Sequence, residues 1–174
     1  LMVRASGKPG SPIRFTAESG SVVVTGLDPV EAGWSAQGSG VYPAKVAGPV
    51  WQVFAGSNML LPARWPNAPL LEPMNRAWAK CGRGTGYSNL VDSKLPPGDW
   101  NGATVQVWPG HHWTSKVRKV TAYRPGESFA FEPPFPYSKG DKWHGAVDVY
   151  LPRESNPYYL YDSFAALDAP ATKR

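Results

Sequence analysis

Apolar and polar residues alternate along much of this chain, with the period of two that gives a strand one buried face. Thr104-Val105-Gln106-Val107-Trp108, the run from Lys116 to Tyr123, Ser128-Phe129-Ala130-Phe131 and Tyr158-Tyr159-Leu160-Tyr161 all read as strands on this pattern. Phe164-Ala165-Ala166-Leu167 reads as a partner for the last of them, and Val147-Asp148-Val149-Tyr150 as a further strand. Residues 50–54 and 59–65 flank Ala55-Gly56-Ser57-Asn58, which has the glycine and asparagine of a hairpin turn. A helix is predicted only over 72–80, with Pro73 at a first-turn position and a stop before Gly82-Arg83-Gly84-Thr85-Gly86. Trp100-Asn101-Gly102-Ala103 and Trp143-His144-Gly145-Ala146 each lead into a strand through the same turn chemistry.

The opening is different. Three short extended runs, over 1–4, 12–16 and 21–25, are separated by Ser6-Gly7-Lys8-Pro9-Gly10 and Glu18-Ser19-Gly20 and end at Gly26. That is the outline of one coil of a right-handed parallel β-helix. A solenoid coil buries its apolar face only against neighbouring coils, so about three are needed for stability. No second copy follows. The expected fold class is therefore all-β: a β-helix-like coil over residues 1–30, then an antiparallel, hairpin-rich subdomain over 31–174 packed on it, with at most one or two short helices. The open edge of the coil is expected to be covered by later strands, by further coils of a parent chain, or by another subunit.

Composition narrows the class. With 174 residues the chain suits one domain, and 19 prolines with 18 glycines point to turn-rich β structure. The single cysteine, Cys81, excludes an internal disulfide. No apolar run approaches the length of a membrane span. The net charge of +5 favours anionic partners, although Lys116, Arg118, Lys119 and Arg124 alternate like a strand and need not share a face. Tryptophan is the outlier, with eight residues. Its flat face stacks on the C–H faces of sugars while its N–H bonds to hydroxyls. Five or six of the rings are expected in the core, leaving two or three as sugar platforms.

Several runs carry a family resemblance. Val3-Arg4-Ala5-Ser6-Gly7, Pro12-Ile13-Arg14-Phe15 and Val24-Thr25-Gly26 resemble the first coil of secreted bacterial right-handed parallel β-helix proteins, a class that includes polysaccharide lyases and glycoside hydrolases. Later runs resemble a segment inserted after that coil. They are Gln52-Val53-Phe54 with Ala63-Arg64-Trp65-Pro66-Asn67, Gly102-Ala103-Thr104-Val105 with His112-Trp113 and Arg118-Lys119-Val120, and Tyr158-Tyr159-Leu160 with Ala166-Leu167-Asp168-Ala169-Pro170. The resemblance covers nearly the whole chain. It implies a secreted or periplasmic protein that continues into further coils past Pro170. It places catalytic residues on those later coils, so none is carried over here.

The densest polar–aromatic cluster is Trp108-Pro109-Gly110-His111-His112-Trp113. Tryptophan platforms beside imidazoles suit a sugar site. The candidate carbohydrate-binding set is Trp108, His111, His112 and Trp113, joined by Tyr137 from the aromatic, proline-rich loop and by Trp143. A zinc site needs three or four ligands, and adjacent histidines on a strand face opposite ways, so no metal or cofactor is expected. Glu127, Glu132, Asp141 and Asp148 lie in the aromatic-rich region, but no spacing selects a hydrolytic pair. Arg64, Lys116, Arg118 or His112 could serve a lyase. For Arg64, beside Trp65-Pro66-Asn67, the simpler reading is a loop brace. No nucleophile elbow, P-loop or Cys-x-x-Cys pair is present. The expected function is polysaccharide binding, or its support within a β-helix carbohydrate-active protein, with an acidic glycan if the positive charge takes part and with no nucleic acid. The alternatives are a lyase or hydrolase in its own right, and an assembly module with no glycan site.

Overall fold

The computed structural model describes residues 2–31, 33–36, 38, 40–67, 77–135 and 151–167. Its strands are β1 (Val53–Ala55), β2 (Asn58–Leu60), β3 (Arg64–Trp65), β4 (Ala79–Lys80), β5 (Asn89–Val91), β6 (Thr104–Val107), β7 (Lys116–Arg124), β8 (Ser128–Glu132) and β9 (Pro157–Tyr161), followed by one 3-10 turn at Phe164–Ala166. The molecule is nearly all β and the pairing is antiparallel. The hairpin β1–β2 forms as its turn residues require, with Gly56 at φ +62°.

The main sheet runs β3-β9-β6-β7-β8-β5, with β4 also paired to β9. Alternation explains which side of each strand is wet. In β6, Val105 and Val107 are buried while Gln106 is half-exposed. In β9, Tyr158 and Leu160 are buried while Tyr159 and Tyr161 are half-exposed. Phe129 and Phe131 of β8 are buried beside them. The long strand β7 breaks its own period. A register shift between Thr121 and Arg124, with Ala122 at φ +48°, is a β-bulge. The extra residue lets Val120 and Tyr123 both face inward although they lie three apart.

The sheet curls back on itself. After β4, Cys81 N–H donates to Asn156 O (2.9 Å) and Ser155 N–H donates to Cys81 O (2.7 Å). One residue on, Gly82 N–H donates to Val91 O of β5 (2.6 Å). These bonds carry the ladder from β9 across to β5 and close a small barrel. A Cβ on Gly82 would lie 2.9 Å from Val91 O, so the seam needs glycine there.

Aromatic rings fill the interior. Phe129 meets Phe131 edge-on (5.7 Å between centroids) and Tyr158 edge-on (6.2 Å), and Phe131 meets Phe135 edge-on (5.3 Å). Burying each such ring contributes about 1.5–3 kcal/mol. The one buried carboxylate among the described residues, Asp92, accepts the Tyr158 hydroxyl (2.7 Å) and Lys94 N–H (2.8 Å). Burial, and then this hydrogen bond, push the Tyr158 phenol well above its usual range. Burial foremost also pushes the Cys81 thiol up to about 12, which leaves it an inert core residue.

Several expectations are corrected. The extended runs near 2–4, 12–16 and 21–25 form no strands; over the described residues from 2 to 50 the only pairing is an isolated bridge between Lys8 and Ser11. Without a neighbouring coil their backbone groups have no ladder to join. Phe164–Ala166 is a 3-10 turn rather than a strand, because Ser163 Oγ accepts Ala165 N–H and starts a turn. The predicted helix over 72–80 lies mostly outside the described residues, and where it is described, Ala79–Lys80 is β4. The predicted strand at 147–150 lies outside them.

The tryptophans also depart from expectation. Of the seven tryptophans among the described residues, only Trp100 is fully buried (1% exposed), and Trp65 packs against the core. Trp78 and Trp108 are half-buried. Trp34, Trp51 and Trp113 are exposed. The interior sets Trp100 beside Phe129, Phe131, Phe135, Tyr123 and Tyr158 and a set of buried leucines and valines.

Candidate functional site

The outer face of β6 and β9 carries an aromatic row. It follows from the same alternation that builds the core. With Val107 and Leu160 inward, Trp108 just past β6 and Tyr159 and Tyr161 on β9 point outward. The pairing of Ala79 with Tyr158 brings Trp78, one residue earlier, to the same face. Trp78 and Trp108 stack (4.5 Å between centroids, 18° between planes). Trp108 leans on Tyr159 (5.8 Å, 45°), and Tyr159 on Tyr161 (5.5 Å, 48°).

Polar groups are set into this row. Arg64, on β3 opposite Tyr161, places its guanidinium 4.8 Å over the Tyr159 ring. The Tyr159 hydroxyl donates to Gln106 Oε1 (2.6 Å), and Gln106 Nε2 donates to Ser115 Oγ (3.0 Å). Partial burial lowers the pKa of Arg64 from its very high ordinary value, with the Tyr159 phenol opposing that shift, and the group stays cationic. Burial foremost, and then Tyr161, raise the Tyr159 phenol, so it stays a neutral donor.

The loop between β6 and β7 rises from the row and returns to it. Trp108 stands at its start and Ser115, bound to Gln106, at its end. Between them His111 and Trp113 bring their rings to 5.6 Å, and Trp113 is 70% exposed. His112 turns the other way. Its backbone sits at φ +67°, and its Nε2 meets Asn156 Nδ2 at 2.9 Å. Asn156 is a buried hub. Its Oδ1 accepts Gly110 N–H (2.9 Å) and Arg153 N–H (3.0 Å), and its Nδ2 also donates to Gly110 O (3.1 Å). Burial first, and then the charges of Lys80, Arg153 and His111, lower the pKa of His112. The ring is therefore neutral at pH 7 and serves as the acceptor for Asn156.

The predicted set is thus divided. Trp108 belongs to the row, with one face covered by Trp78. His111 and Trp113 stand together on the loop between β6 and β7. His112 is spent on holding the loop to Asn156. The two histidines lie in a turn, not on opposite faces of a strand. Tyr137 and Trp143 lie outside the described residues. Sequence reasoning missed Trp78, Gln106, Tyr159, Tyr161 and Asn156. Tyr159 and Tyr161 were findable, since they alternate with Leu160.

Among the described residues no group of three His, Cys, Asp or Glu side chains could hold a metal ion. No helix among them is long and apolar enough to cross a membrane. Comparison with protein-family models, with curated proteins and with solved structures finds no match to this chain.

Proposed function

We propose that this protein binds polysaccharide on the outer face of β6 and β9, as part of a secreted or periplasmic carbohydrate-active protein of the parallel β-helix type. The observation that carries the reading is the aromatic row with its inset Arg64 and Gln106, with the exposed ring of Trp113 on the loop that starts and ends at the row. A sugar chain along the row stacks a C–H face on Trp113 and meets the edges of Trp108 and Tyr161. Its hydroxyls bond to Gln106, His111 and the Tyr159 phenol. Two of the described carboxylates are already held in ion pairs. Glu127 is tied to Arg124 (3.1 Å), and Asp162, next to Tyr161 of the row, is tied to Lys119 (3.1 Å) and accepts the Thr104 hydroxyl (3.0 Å).

Affinity electrophoresis in gels holding neutral and acidic polysaccharides tests this. The expected result is retardation on at least one glycan, weakened about tenfold in affinity by Trp113→Ala or Tyr159→Ala. Unretarded migration on every glycan would sink the reading.

An assembly role is the second reading, favoured by one observation. Val22, Val23 and Val24 are all strongly exposed, Val23 at 80%. Such a run fits a strand that pairs with another molecule. Sedimentation tests it, and a monomer at all concentrations would count against self-assembly.

A further inference from the structure

Arg64 is held more firmly than a loop brace needs. Its strand β3 is fixed in the ladder of β9 by the pairs Arg64–Tyr161 and Trp65–Leu160. The guanidinium lies over the Tyr159 ring at 4.8 Å, so its plane is set by stacking. Its bond among the described residues, from Nη2 to Ala77 O, is long at 3.4 Å and uses one of five N–H donors. The ion pairs among the described residues are Lys119–Asp162 and Arg124–Glu127, and neither involves Arg64. A half-buried cation with its plane fixed and no described carboxylate paired to it is a receptor for one, because the guanidinium fork matches a carboxylate in two parallel hydrogen bonds.

We infer that Arg64 makes the aromatic row selective for saccharides that carry a carboxylate on the sugar ring, the uronate class. The inference rests on the row being the polysaccharide site. A uronate joins in one residue the two features the row recognises: an apolar C–H face for the rings, and an anion for the fork beside Tyr159. The net charge of +5 draws such a polymer to the surface without selecting among anions. Selection comes from the planar fork, which a point charge on lysine does not reproduce, and from a carboxylate bonded directly to the ring carbon, where a sulfate ester stands one oxygen further out.

The test compares uronate polymers (polygalacturonate, alginate and hyaluronan) with their carboxyl-reduced counterparts and with dextran sulfate, by affinity electrophoresis of the whole chain. Wild type is expected to bind at least one uronate polymer at least tenfold more tightly than its reduced form and than dextran sulfate. Arg64→Gln and Arg64→Lys should both abolish that preference, with loss of about tenfold or more on the uronate polymer. Tyr159→Ala should weaken uronate and reduced polymer together. Arg124→Gln, a charge change at the far end of β7, should alter neither. Thermal unfolding of each variant separates lost binding from lost fold, and if Arg64→Gln unfolds, the wild-type preference among polymers decides alone. Equal binding to a polymer and its reduced form overturns the uronate inference and leaves the polysaccharide reading standing. Equal binding to dextran sulfate, or full retention in Arg64→Lys, also overturns it. Binding to no polymer overturns both.

Discussion

At the residue scale, Asn156 and His112 carry most of the loop's order. All four hydrogen-bonding positions of the Asn156 amide are filled, three of them by backbone groups. Asn156→Ala would strand buried N–H and C=O groups and is expected to cost about 2–4 kcal/mol, read as a lower urea midpoint. His112 adds a pH dependence. Protonated, its Nε2–H would face the Asn156 N–H groups, among the charges of Lys80, Arg153 and His111. The folded state therefore takes up this proton less readily than the unfolded chain. The contribution of His112 is full above its ordinary value of 6.5 and declines as pH falls below it, down through the depressed folded value. Two-dimensional NMR should place the His112 midpoint below 6.5. In His112→Gln the loss of stability from pH 7 toward pH 5 should be shallower than in wild type. A normal midpoint, or identical slopes, would remove the Asn156 contact from the account.

Among elements, the closing seam is the most exposed to substitution. Gly82→Ala puts a methyl 2.9 Å from Val91 O, a backbone atom that cannot swing away. The expected loss is about 1–3 kcal/mol in thermal unfolding, with β5 the strand that loses amide protection first. The same seam shows why some elements were legible and others not. β6, β7, β8 and β9 span four or more residues and display their alternation openly. β4 and β5 have two and three residues, too few for any period, and exist because neighbours supply the ladder. Reading 72–80 as a helix hid Trp78, and with it the stack on Trp108 that forms the head of the aromatic row. The run 164–167 reads as a strand partner for 158–161, but Ser163 starts a 3-10 turn there.

For the whole molecule, burial divides the chain unevenly. The core is drawn from residues 79–166, whereas the described residues from 2 to 31 are all exposed. Limited trypsin digestion is expected to cut first at Arg4, Arg14 or Lys45 and to leave a resistant piece holding β3 to β9. First cuts at Arg118 or Lys119 instead would mean that the barrel opens more readily than the chain before it. This division was only half visible in sequence. The valines of 21–25 have a strand's composition but meet no partner, and composition alone does not say whether a partner is present.

The strand β9 is the last of the described strands yet lies inside the sheet, with β3 and β4 on one side and β6 on the other. The hairpin β7–β8 can form from a local turn and β6 can pair with β7, but the other edge of β6 waits for a partner more than fifty residues further on, as the Tyr159–Gln106 bond shows by its separation of 53. Synthesis from the amino terminus therefore presents an open, half-built barrel until residues 157–161 leave the ribosome. Until then Phe129, Phe131 and Leu90 have no roof. The finished protein is decided by five late residues, and a nascent chain stalled ahead of them is a substrate for chaperones and proteases.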